Sequence, residues 1–341
     1  MIRNLMLTLL LAALCCESAH AVVTFDWATV GNPGNADDIH GAGYGGVDYV
    51  YNISKHEVTN AQYTEFLNAV DPTGGNANLG GGDGFLYNSL MSSSAVGGIN
   101  FNGGAANGAK YEIKSGRDNN PVVFVSFFDA MRFTNWLHNG QGSGGTESGA
   151  YTIGSGLNEV RSANAKYWSP SEDEWYKAAY HDPSGVYYDY PTGTDTVPYS
   201  DNPSSLNTPD DTNVANFFKS DFVANGYDDG YAVTGSTSLV NAQNYLTDVG
   251  AYSLATSPYG TFDQGGNAWE WNEAVISSSF RGLRGGSWGN DSNGLRADDR
   301  DFNRPGGADG NVGFRVATVP EPSSVLMGAL AAVGLLMRRI G

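Results

Sequence analysis

The chain has 341 residues and carries 36 acidic against 18 basic side chains, a net charge of −18. That balance sets it against nucleic acid and anionic lipid surfaces, whose phosphates would repel it, and is compatible with calcium. Its 46 glycines, 12% aromatic residues and only 16% charged residues point to a loop-rich fold of short elements and exclude a helical bundle.

Residues 1–21 read as a secretory signal peptide: Arg3, an apolar run from Leu5 to Leu14, and the small-x-small site Ala19-His20-Ala21. A lipoprotein reading would acylate Cys15 or Cys16, but Leu14 is too large for the residue that should precede such a cysteine. These two are the chain's cysteines, so cleavage after Ala21 would leave a protein with neither thiol nor disulfide. Residues 22–45 are polar and glycine-rich, and the ordered core is expected to begin near Gly46, with Val47–Ile53 alternating like a strand.

Thr59 can cap a helix over His56–Val70 whose apolar face holds Tyr63, Phe66, Leu67 and Val70. Asp71–Gly116 lacks periodicity and predicts a long loop with at most a short hairpin. Pro121–Asn139 reads as an extended segment, a Ser126 cap and an amphipathic helix bearing Ala130, Phe133 and Leu137. In Lys166–Asp182, Ser169 precedes Pro170 at the first helical position. Glu172, Asp173 and Glu174 complement the dipole of that helix, and Trp175, Ala178 and Ala179 form its buried stripe. Pro183–Gly260 is irregular again, and the tract GNAWEW (266–271), RGGSW (284–288) and GFR (313–315) follows, its glycines and tryptophans suited to a packed, loop-rich site.

At the C-terminal end Val319-Pro320-Glu321-Pro322 precedes an apolar run from Val325 to Met337 and then Arg338-Arg339. That order resembles the PEP-CTERM sorting signal of Gram-negative bacteria, which implies an exosortase-type peptidase as partner for residues 319–341. The run is shorter than the roughly 20 residues of a comfortable spanning helix, so anchorage is either transient or helped by neighbouring residues. The trailing arginines would hold that end in the cytoplasm and leave the large domain outside. A plain tail anchor is the alternative.

With EVTNAQY, PVVFVSFFDAMRFTNWL, SPSEDEWYKAA, GNAWEW, RGGSW and GFR in this order, residues 46–318 resemble the formylglycine-generating enzyme family, or sulfatase-modifying factor domains. The resemblance implies one α+β domain with a variant C-type lectin fold. It also implies two structural calcium sites. The first carries over to Asn216, Phe217, Asp229 and Tyr231, with Phe217 and Tyr231 offering carbonyls; the second to Asp263, Gly266, Ala268 and Glu270, with Gly266 and Ala268 offering carbonyls. Such mixtures of hard oxygens suit calcium, although Asx-turns and a basic partner for Glu270 would account for the same residues.

The family's two catalytic cysteines do not carry over. Asn290 stands three residues after Ser287 where the first thiol is expected, and the second position falls near Leu295. Copper chemistry and formylglycine generation are therefore not expected, and no catalytic residue is assigned. Iron is left open by the wider family, but His40, His56, His138 and His181 show no ligand spacing. The expectation is a secreted or surface-anchored, calcium-stabilised binding or matrix domain. Its degenerate pocket would comprise Trp269, Ser287, Trp288, Asn290 and Arg296 and contact extracellular polysaccharide or peptide. The alternative is a cysteine-independent oxidoreductase or maturation enzyme.

Overall fold

A computed structural model describes residues 22–39, 43–75 and 85–320. The expected signal peptide, His40 and the sorting motif from residue 321 onward lie outside the described residues. Strands β1 (Trp27–Val30) and β2 (Tyr51–Ser54) precede helix α1 (Asn60–Val70). A single-turn α2 (Leu90–Ser93) and the hairpin of β3 (Ile99–Phe101) and β4 (Tyr111–Ile113) lead to α3 (Phe127–His138). Then come β5 (Tyr167–Trp168), α4 (Glu172–Tyr180), β6 (Tyr199–Ser200), β7 (Val214–Ala215), β8 (Phe218–Ser220) and β9 (Asp229–Tyr231). The chain ends in β10 (Trp269–Ile276), β11 (Phe280–Arg284), β12 (Asp301–Asn303), β13 (Val312–Gly313) and β14 (Ala317–Thr318).

The architecture is α+β, as the resemblance implies, and loop-rich, as composition implies. One four-stranded sheet has the order β1-β2-β14-β5 and the other β12-β11-β10-β13. In the first, β14 pairs antiparallel with both β2 and β5, so segments from near both ends of the described chain share one sheet. In the second, β13 lies parallel to the start of β10 and places GFR beside GNAWEW.

Residues 22–45 are not a mere polar leader to the domain. β1 pairs with β2 over four residues, and Val23, Ala28 and Val30 are buried in the main core. The core thus begins before Gly46, because a short alternating strand hidden among glycines finds its partner about 24 residues later.

Both expected caps of the first long helices are present. Thr59 Oγ1 accepts from Gln62 N and Gln62 Oε1 from Thr59 N, a reciprocal capping box at the start of α1. Ser126 and Asp129 do the same for α3. That helix is less amphipathic than its pattern suggests, since every residue from Phe127 to Leu137 is buried. In α4 the cap lies two residues beyond Ser169: Ser171 Oγ accepts from Glu174 N, and Glu174 Oε2 from Ser171 N. Pro170 therefore precedes the helix instead of opening it.

The first-turn acids of α4 do more than face a dipole. Glu172 is held by Arg284 and Arg300, while Glu174 is held by Arg161, Trp168 Nε1 and Tyr49 Oη. Asp173 Oδ1 accepts from Gly45 N. These contacts fasten α4 to the second sheet and to the loops around it. The expected stripe of Trp175, Ala178 and Ala179 is fully buried.

Candidate functional site

The glycine-tryptophan tract folds back on itself. Gly266 and Asn267 both adopt left-handed backbone, with φ of 88° and 57°. At Gly266 a Cβ would lie 2.3 Å from the carbonyl oxygen of Asn216, so the close crossing of these two segments requires glycine. Gly266 N donates to Gly285 O, Asn267 N to Asn216 O, and Trp288 N to Asn267 O, at 2.8, 2.8 and 3.0 Å. GNAWEW and RGGSW are thereby knitted into one unit.

Within that unit, the buried Ser287 Oγ donates to Asn290 Oδ1 at 2.6 Å and accepts from Asn311 Nδ2 at 3.2 Å. Beside them the Trp288 ring stacks on Tyr245 (centroids 4.9 Å apart, 13° between planes) and meets Tyr231 at 5.9 Å. Trp288 Nε1 is buried and has no hydrogen-bond partner. Of the five expected pocket residues, Ser287, Trp288 and Asn290 come together here. Trp269 does not line this wall; it is a core residue. Arg296 is turned to Asp298 and Asp189, at 2.8 and 3.7 Å, because two carboxylates hold its guanidinium there. Sequence reasoning missed Tyr231 as a ring, Tyr245 and Asn311, which sit in irregular segments whose convergence no local spacing announces.

Beneath the wall lies a buried ionic cluster. Arg315 donates through Nε and Nη2 to the two carboxylate oxygens of Glu270, at 2.5 and 2.6 Å. Its remaining donors reach the carbonyls of Ser54, Lys55 and Phe262. Glu270 Oε2 also accepts from Trp175 Nε1. Two further acids belong to this cluster. Asp263, at φ 57°, accepts from Gly250 N, and Glu57 Oε1 accepts from Asn267 Nδ2. Glu57 Oε2 is buried with no partner. Burial, and then the charges of Asp263 and Glu270, hold the Glu57 carboxyl well above its ordinary range. Burial lifts Asp263 to about 6, against the lowering effect of Gly250 N–H and Arg315. Next to Glu57, burial and the positive charge of Arg315 hold His56 down to about 4. Glu57 opens EVTNAQY, yet nothing in that motif says that its carboxyl turns inward to meet GNAWEW.

The family description "Sulfatase-modifying factor enzyme 1-like domain" matches residues 47–319. The chain belongs to the sulfatase-modifying factor family. Similar solved structures are the crystal structure of CarF, variable protein 1 of Treponema denticola, and PvdO from Pseudomonas aeruginosa. CarF is 18% identical, covering 88% of this chain and all of its own at a TM-score of 0.49. The Treponema protein is 19% identical (88% and 97% covered, TM-score 0.45), and PvdO is 15% identical (86% and 92% covered, TM-score 0.43). Among curated proteins none matches the chain.

The donor sets that sulfatase-modifying factor domains imply for calcium fit this chain unequally. In the first, Asn216–Phe217 and Asp229–Tyr231 are brought side by side: Ser200 Oγ lies 2.6 Å from Phe217 O and 3.3 Å from Gly230 O, and Phe218 pairs with Tyr231. Asp229 Oδ2 accepts from Gly226 N, and Tyr231 O already accepts from Thr234 N and Gly235 N. The two segments share a hairpin, but Asp229 stands opposite Ser220, away from Asn216 and Phe217, and the Phe217 and Tyr231 carbonyls both already accept hydrogen bonds. The second set does not fit at its main side chain, because both oxygens of Glu270 are committed to Arg315. Gly266 and Ala268 stand next to that pair in the chain. Among the described residues no group of three His, Cys, Asp or Glu side chains is gathered as an iron centre would need.

Proposed function

We propose that this sulfatase-modifying factor domain is an exported, surface-held binding protein of variant C-type lectin fold that does not generate formylglycine. The observation that carries the reading is Asn290. It falls three residues after Ser287, where the resemblance implies a thiol, and accepts from Ser287 Oγ at 2.6 Å, beside the rings of Trp288, Tyr245 and Tyr231. Trp288 and Asn290, half-buried, would offer an indole face and an amide, the chemistry of carbohydrate or peptide contact, and no thiol stands among them. Residues 1–21 would export the chain, and residues 319–341 would hold it at the membrane until a sorting peptidase acts. Calcium held by Asn216, Asp229 and the Phe217 carbonyl would stabilise the loops behind the wall. The alternative of an iron enzyme has no convergent ligand set among the described residues in its favour.

Two measurements on the mature chain test this. Copper-loaded protein incubated with a cysteine-containing sulfatase peptide should yield no formylglycine by mass spectrometry; turnover would overturn the reading. Titration against extracellular polysaccharide of the producing cell should release heat with the native chain and lose it in Trp288→Ala. Equal heats from both proteins would remove the aromatic wall from the binding reading.

A further inference from the structure

The chain leaves β14 through Val319, on the rim of an apolar groove of about 550 Å³. Tyr49, Val50, Val160, Ala163, Trp168 and Val319 line it. Its rim is exposed to a degree that lone surface residues seldom explain: Val160 is 80% exposed, Val319 48%, Tyr49 45% and Val50 39%. The charge within it is matched, since the Arg161 guanidinium lies 4.7 Å over the Trp168 ring and bonds Glu174 at 2.9 Å.

Five residue steps separate Pro320 from Val325, where the apolar run begins. Extended chain covers no more than about 18 Å over that span. While the run is held in a bilayer, the point where Val319 leaves the domain is therefore confined to within about that distance of the membrane surface. We propose that the groove rests on that surface, its valines and tyrosine meeting the interfacial region of zwitterionic lipid. Exposed aliphatic and aromatic groups around a paired arginine match the chemistry of the headgroup boundary. The net charge of −18 argues against an anionic surface. The domain would then stand in one orientation, with the groove toward the lipid. This inference rests on the anchored reading above.

Both cysteines precede residue 22, so one introduced cysteine labels the mature chain uniquely. Val160→Cys and, as a reference outside the groove, the exposed Leu254→Cys carry an environment-sensitive fluorophore, and the full mature chain is reconstituted with phosphatidylcholine vesicles. The expected result is co-flotation with the vesicles, with blue-shifted emission and quenching by headgroup-labelled lipid at position 160 only. Co-flotation with indistinguishable emission at 160 and 254 overturns the groove contact and leaves the anchor standing. Absence of co-flotation overturns the anchored reading and the groove contact with it. A blue shift at 160 before vesicles are added, lost when the chain ends at residue 320, shows that the groove takes the chain's own tail, and overturns the lipid contact.

Discussion

Glu57 is a buried carboxyl whose second oxygen has no partner, in a cluster where three acids surround one arginine. Its folded-state pKa is raised, so the folded protein holds a proton that the unfolded chain gives up at lower pH. The stabilising effect of that proton is fully present below the ordinary carboxylate range and is lost as pH rises through the folded value. Asp263, lifted to about 6, acts in the same sense. His56, held down to about 4, acts in the opposite sense: its contribution is lost as pH falls from its ordinary value toward 4. Glu57→Gln removes the titrating proton and keeps the hydrogen bond to Asn267, while leaving His56 in place. As pH rises above the ordinary carboxylate range, the variant should therefore lose less stability than the native chain, measured by urea denaturation at each pH. Parallel stability curves would show that Glu57 does not carry the extra proton.

At the scale of elements, α4 separates two readings of one start signal. Ser169 Oγ is buried without a hydrogen bond, whereas Ser171 Oγ accepts from Glu174 N and forms half of a capping box. Ser171→Ala should cost about 1 kcal/mol in equilibrium unfolding, and Ser169→Ala should cost clearly less. The reverse order would return the cap to Ser169. The comparison also shows what the sequence makes legible. Caps and apolar stripes of α1 and α3 are local, decided within four residues, and both were readable from Thr59 and Ser126. The membership of β1 in the first sheet was not, because its partner lies across a glycine-rich segment with no periodicity. The candidate site divides the same way. Ser287, Trp288 and Asn290 are close in sequence and meet in space, but Tyr245, Asn311 and Glu57 arrive from distant loops. Arg296 stands apart because Asp298, two residues on, and Asp189 hold its guanidinium, whereas only the order of motifs points to a pocket role.

For the whole molecule, charge and metal are one question. In a chain with 36 acids and 18 bases, the acids expected to hold calcium sit in two different settings. Around Arg315 the acids are balanced internally, by the bidentate guanidinium on Glu270 and by burial that favours the protonated form of Glu57. On β9, Asp229 accepts from Gly226 N and has no arginine among its hydrogen bonds, while its neighbour Asp228 is paired with Lys219. If calcium binds at the second place, a chelator should lower the melting temperature of the mature domain, since a ligand that binds only the folded state stabilises it by about 2.7 kcal/mol at a hundredfold excess over Kd. Asp229→Asn should abolish that sensitivity. Glu270→Gln should behave differently, destabilising the domain with and without calcium, because it weakens the buried pair with Arg315, and breaking such pairs costs on the order of 3–5 kcal/mol. Differential scanning calorimetry of the three proteins with and without chelator checks both expectations. A chelator effect that survives Asp229→Asn and vanishes in Glu270→Gln would move the cation to the Arg315 cluster and reverse the assignment made from its hydrogen bonds.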